Sequence, residues 1–288
     1  MADTITKPNG PFDTCVLQGN ASKSLITLGA LQFLYDTGKF SSVTNFFGTS
    51  SGGITSFFLI IGYTPKEILS YLVVNKIFDG RLAHFNMLSV MQGCGATSWS
   101  KFQEILERMT IEKIGYLPTL KDLKEKFGKT LTVTTYNVSL DKTEYVSCSS
   151  HPDLPALVAL RMTSNIPFVF DKYKYGDSFF VDGAATNNFP VKQAEALGKK
   201  VIGLRVYTEK KKSKIASESF FPFLHRLIMV PVAQIEKMQI ETARKDTRIE
   251  TLMDDSKTGL RFEFSRIQIM DFFSSGYKQM KEKFNKTD

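Results

Sequence analysis

Cysteine is scarce in this 288-residue sequence: Cys15, Cys94 and Cys148 are odd in number, far apart and without any C-x-x-C pattern. That usage argues against a disulfide framework or a zinc site and fits a reducing compartment. Long apolar runs are missing too, since the longest, residues 57–61, is far short of the roughly 20 residues that span a membrane. Residues 1–11 form a polar leader without the apolar stretch of a signal peptide. A cytoplasmic protein, free or peripherally bound to a membrane, is expected. No carboxylate cluster offers a calcium site, and neither a metal nor an organic cofactor is expected. Internal repeats and low-complexity linkers are also lacking. A P-loop is excluded because Ser22, not glycine, stands directly before Lys23-Ser24.

The charge balance is one-sided. Thirty-seven basic against 29 acidic residues leave a net charge of +8, which favours negative partners. Nucleic acid has only that charge in its favour, with no aromatic-basic motif beside it, so it is not expected as a partner. An anionic lipid surface is the other polyanion this charge would suit. The 24 phenylalanines suggest an apolar pocket or face in addition to a core. In the last third, the basic run 210–214 precedes an aromatic and aliphatic stretch, 219–232. Two readings are open for that stretch: contact with an anionic interface, or a core helix behind a solvated loop.

Along the chain, residues 12–17 read as a buried strand and 18–24 as a loop. Leu25, Leu28, Leu31 and Leu34 then mark one face of a helix that stops near Gly38. Residues 43–62 repeat the order: an apolar strand through Phe47, a turn Gly48-Thr49-Ser50-Ser51-Gly52, and an apolar helix. Two successive β-α units predict a mostly parallel sheet with helices on its faces. Further helices are expected from Pro65, over 99–108 and 120–127, and near 269–284, with a polar helix over 234–248. A hairpin is expected over 130–147 and a strand over 200–207. Residues 79–98 lack a period and read as a lid or a covering loop.

The turn matches G-x-S-x-G. Where a strand enters a helix through this pentapeptide, the central serine sits at the apex, near the positive end of the helix dipole, and the glycines admit neighbouring backbone. Ser50 is therefore a candidate nucleophile, with Gly48 and Gly52 shaping the elbow. A serine hydroxyl needs a base. Asp182 is the candidate, in F-F-V-D-G-A, where an apolar strand ends at the sheet's carboxyl edge and desolvation would raise the carboxyl pKa.

The two motifs together, with the segment A-L-R-M-T-S-N-I-P-F-V-F at 159–170 and the later F-V-D-G-A-A-T-N-N-F-P, resemble the patatin-like phospholipases over residues 12 to 206. The resemblance implies a three-layer α/β/α fold with a mostly parallel central sheet. It also implies a Ser50-Asp182 dyad that cleaves acyl esters of phospholipids or other acyl lipids through an acyl-enzyme, without histidine. On this reading a catalytic domain fills 12–208, and a mainly helical extension, 209–288, packs on it. The acyl chain would lie near the helix after Ser50, with Phe57 and Phe58 among the pocket walls. The family's G-G-G-x-K-G oxyanion loop is altered here to Gly19-Asn20-Ala21-Ser22-Lys23-Ser24. Gly19, Asn20 and Ala21 are the candidate donors, and Ala21 and Ser24 would fit less easily if their sites need positive φ or close approach. Two rivals remain open. One is a catalytically impaired lipid- or partner-binding module. The other is a Ser50-Asp182-His225 triad.

Overall fold

The computed structural model describes residues 10–75, 98–167, 169–208, 220–255 and 263–286, with the backbone alone for 220–229. The segment 79–97, the basic run 210–214, Cys94 and the His225 side chain lie outside the described residues.

Strand β1 (Thr14–Leu17) leads through a 3-10 turn (Ala21–Lys23) into helix α1 (Ser24–Asp36), and β2 (Asn45–Thr49) leads into α2 (Ser51–Ile60). The expected pair of β-α units is present. Next comes α3 (Pro65–Val74). Its cap Thr64 accepts the Glu67 N–H while the Glu67 carboxylate accepts the Thr64 N–H, with Pro65 in the first turn. The chain continues through α4 (Ser100–Ile114), α5 (Leu120–Phe127), β3 (Thr130–Asn137), β4 (Lys142–Ser147), α6 (Ala156–Thr163), β5 (Tyr173–Tyr175), β6 (Ser178–Asp182) and α7 (Val191–Leu197). It closes with β7 (Val201–Tyr207), α8 (Phe220–Glu241), β8 (Arg248–Met253) and α9 (Arg266–Asn285).

The strands form one sheet in the order β5-β6-β3-β2-β1-β7-β8, with β4 also on β3. From β3 to β8 the order is parallel throughout, while β4, β5 and β6 attach antiparallel. The central strands are buried on both faces, which is why they read as unbroken apolar runs. On β1, Cys15 and Leu17 belong to the larger core, under α1, α2 and α9, whereas Val16 faces a second core with Phe189, Val191, Ala194 and, from α8, Ile240. Helices therefore cover both faces, and the architecture is the expected α/β/α.

Two differences lie in the last third. The polar helix expected through 248 ends at Glu241, and residues 248–253 form β8, parallel to β7. The closing helix α9 lies on α1 nearly backbone to backbone. A Cβ at Gly29 would stand 1.8 Å from the Phe273 carbonyl oxygen, and one at Gly276 would stand 1.9 Å from that of Ile26. Phe33 continues the seam, 5.7 Å from the rings of both Tyr277 and Phe284. Among the described residues, no single helix is long and apolar enough to cross a membrane.

Candidate active site

β2 runs two residues further than its apolar pattern suggests, because Gly48 and Thr49 continue the register against Val133 and Thr134 of β3. The turn to α2 is thereby compressed onto Ser50, which takes φ +55° and ψ −125°. Such a conformation costs a serine on the order of 1–3 kcal/mol and persists only where its surroundings enforce it. Several neighbours do. The Ser50 N–H donates to Thr163 Oγ1 at 2.9 Å, and that hydroxyl donates to the Thr134 carbonyl. The elbow glycines are sterically required: a Cβ at Gly52 would stand 2.2 Å from the Leu17 carbonyl oxygen, and one at Gly48 would stand 2.5 Å from the Gly52 carbonyl carbon. Ser50 caps α2 and keeps 7% of its surface exposed.

Asp182 reaches Ser50 through an arrangement of strands that sequence alone does not reveal. Strand β3 has three partners. β4 pairs with it over 132–137, whereas β2 pairs over 130–134 and β6 over 135–137. A strand has two edges, so the two partners with non-overlapping registers share one edge. Thr49 lies opposite Thr134 and Asp182 opposite Thr135, so the carboxyl ends of β2 and β6 meet head to head. Asp182 was expected at the carboxyl edge of parallel strands; it arrives there on an antiparallel one.

The Asp182 carboxylate accepts the Ala184 N–H at 2.8 Å and lies close enough to the Ser50 hydroxyl to feel it electrostatically. Burial pushes its pKa up from 3.8 to about 6, against the opposing pull of the Ser50 hydroxyl and the Ala184 N–H. It is thus ionised at neutral pH yet far more basic than an exposed aspartate. Its backbone is fixed by Asn165, whose carbonyl accepts the Asp182 N–H at 2.9 Å.

The loop Gly19-Asn20-Ala21 lies against this pair. The Gly19 N–H donates to the Asn188 carbonyl at 3.3 Å, and the Asn20 N–H donates to Ser51 Oγ at 3.1 Å. Ala21 sits at φ +48°, in the left-handed region that favours glycine. Its N–H has no partner among the described residues. Ser24 adopts ordinary helical angles, so its departure from the family pattern carries no strain.

Local pattern did not single out several residues that hold the site. Thr163 ends α6, inside the 159–170 segment, and Asn188 follows the D-G turn. The Asn188 side-chain amide donates to the Gly19 carbonyl at 2.9 Å, while Thr49 Oγ1 donates to the Asn187 carbonyl at 3.0 Å. The loop after Asp182 thus ties β2 to the Gly19 turn. Phe57 and Phe58, expected as pocket walls, are instead core residues at 0% and 2% exposure, packed edge to face on each other. The last turn of α2, residues 57–60, lies in the main core, which leaves neither ring open to a ligand. Among the described residues, no group of three or more histidine, cysteine, aspartate or glutamate side chains could hold a metal ion.

A family model described as patatin-like phospholipase matches residues 15–195. The chain belongs to that family. Among curated relatives of this patatin-like chain, a probable lipid hydrolase, 463L, of Invertebrate iridescent virus 6 is 32% identical over 189 residues, which are 62% of each chain. Among solved structures, VipD from Legionella pneumophila superposes with a TM-score of 0.58 at 15% identity over 94% of this chain and 66% of that one. Human GIVD cytosolic phospholipase A2 gives 0.50 at 12% identity, over 93% of this chain and 58% of that one. The chain therefore spans less than two thirds of the length of these relatives. The structural likenesses establish the fold.

Proposed function

We propose that this protein is a lipid acyl hydrolase of phospholipase A type, with Ser50 as nucleophile and Asp182 as its base. The observation that carries the proposal is a serine held at positive φ on a strand-helix elbow, beside a buried carboxylate whose pKa is pushed up to about 6. A base poised near the working pH combines correct ionisation with useful proton affinity. As Ser50 Oγ attacks the ester carbonyl, its proton passes to Asp182, which then delivers it to the departing alcohol oxygen and leaves an acyl-serine. Water enters next, gives its proton to Asp182 and attacks the acyl carbon. That proton returns to Ser50 as the fatty acid leaves.

The negative charge on the tetrahedral oxygen needs donors. The Ala21 N–H in the loop and the positive N-terminal end of α2 are the candidates, because the Gly19 and Asn20 N–H groups are already bonded. That occupancy also favours a second reading, a family member of low or absent activity that binds a lipid surface or a partner. Acyl lipid at a peripheral, anionic membrane surface is the proposed substrate setting, and the net charge of +8 is its support.

Release of fatty acid from anionic and zwitterionic phospholipid vesicles, compared between wild type and Ser50→Ala, tests the proposal. Release that depends on Ser50 supports it. A folded wild type that releases nothing and is not labelled by a fluorophosphonate moves the assignment to the binding reading.

A further inference from the structure

The loop facing Ser50 is held at both ends by carboxylates from outside the region that the family model covers. At its start, the Val206 N–H donates to Gln18 Oε1 at 2.8 Å, which fixes the orientation of the amide because an N–H can only donate. Gln18 Nε2 is thereby turned toward Glu236 on α8 and donates to both of its carboxylate oxygens at 2.8 Å. Glu236 is itself ion-paired with Arg205 at 3.2 Å. At the far end, Lys23 Nζ lies 3.1 Å from Asp254 Oδ2, just past β8, and donates to Thr208 Oγ1. Thr208 in turn donates to Asp254 Oδ2 at 3.0 Å. The Asp254 side chain is fully buried, and Gln18 is 6% exposed.

Other bonds to the loop are made by neutral groups, among them Gln18 N–H to the Leu204 carbonyl and Gly19 N–H to the Asn188 carbonyl. Between its ends it is tied to Asn188 at Gly19, and through Asn20 to Ser51 Oγ and Thr27 Oγ1. With Ala21 at φ +48°, the segment carries strain that something must hold. Charge-assisted, buried hydrogen bonds are the strong ones. Both come from residues after 195, where the family match ends.

We propose that Glu236 and Asp254 are positioning residues, which clamp Gln18 and Lys23 and so set the 19–22 backbone across Ser50. The catalytic part of this inference rests on the reading of Ser50 and Asp182 as the reacting pair. It also assigns Lys23 a role: its cation is committed to Asp254 and supports the loop from behind. The C-terminal segment thereby becomes a working part of the site.

Asp254→Asn, Glu236→Gln, Lys23→Met and the Lys23→Met/Asp254→Asn double variant of the full chain test the clamp with two readouts. The first is amide hydrogen exchange. Each single variant should speed exchange of the 18–24 peptide by about tenfold or more while β1 and β2 stay protected. Unchanged exchange in that peptide overturns the clamp whether or not the protein hydrolyses lipid. The second readout is kinetic. Asp254→Asn should lower kcat by about tenfold, the equivalent of roughly 1.4 kcal/mol, with KM little changed. The double variant should lose no more than the worse single one, because Asp254 acts through Lys23. Additive losses, or a lowered melting temperature with kcat intact, contradict the positioning role. A wild type that hydrolyses nothing while the 18–24 peptide loosens in the variants overturns the enzymatic reading and leaves the clamp standing.

Discussion

Replacing Asp182 with asparagine should abolish hydrolysis and at the same time stabilise the fold. In the folded protein, burial raises the Asp182 pKa from 3.8 to about 6. A raised carboxyl pKa means that folding favours the protonated form. Well below pH 3.8 the group is protonated in folded and unfolded chains alike and costs nothing. Between about pH 4 and 6 the unfolded chain ionises first, so wild-type stability falls as pH rises, and from about pH 7 the full cost is in place. Each pH unit of difference corresponds to about 1.4 kcal/mol, so the rise amounts to roughly 3 kcal/mol at pH 7. Asparagine occupies nearly the same volume, can still accept the Ala184 N–H, and never ionises. Urea unfolding of both proteins at pH 4, 5, 6, 7 and 8 measures the difference between them, in which the other carboxylates cancel. That difference should widen by about 2 kcal/mol between pH 4 and 6, gain a few tenths more by pH 7 and stay flat above; at pH 8 it corresponds to roughly 6–12 °C in melting temperature. A difference independent of pH would refute the claim that Asp182 is ionised at the expense of stability, and with it the account of Asp182 as a desolvated base.

Three further outcomes follow from the same geometry. In wild type, kcat/KM should rise with pH through about 6 as Asp182 ionises and becomes able to accept a proton, which a pH-rate profile measures directly. Thr163→Val should destabilise by about 1–3 kcal/mol and lower turnover, because it strands the Ser50 N–H and the Thr134 carbonyl; urea unfolding and vesicle hydrolysis report the two effects. Ala21→Gly should stabilise by about 1 kcal/mol, by removing the left-handed strain at φ +48°, and should not reduce hydrolysis; equilibrium unfolding with steady-state kinetics checks both.

What could be read from the sequence was whatever is local. The β-α units around α1 and α2, the Thr64 cap with Pro65, and the hairpin β3-β4 each leave a periodic or capping trace within a few residues. The serine at the elbow was visible for the same reason, since G-T-S-S-G needs only its own strand and helix to be recognised. The pairing of Ser50 with Asp182 was expected from the two motifs together, but the route to it was not legible, because it depends on β2 and β6 sharing one edge of β3 between segments far apart in the chain. Strand β8 escaped notice because R-I-E-T-L-M is short and follows a charged stretch that reads as more helix. Phe57 and Phe58 were misplaced because an apolar helix after a nucleophile could line a pocket or fill a core, and only packing decides between them. Thr163, Asn188, Glu236 and Asp254 act through hydrogen bonds to distant segments, and such bonds leave no trace in spacing. The strain at Ala21 was anticipated from the family resemblance, since alanine stands where the family has glycine.

The most direct test of the central claim is to treat the protein with a fluorophosphonate and locate the adduct by peptide mass spectrometry, in wild type, Ser50→Ala and Asp182→Asn. The account predicts one phosphonyl adduct, on Ser50, in wild type, none in Ser50→Ala, and strongly slowed formation in Asp182→Asn. An adduct on another residue, or one on Ser50 that forms equally fast without the Asp182 carboxylate, would contradict it.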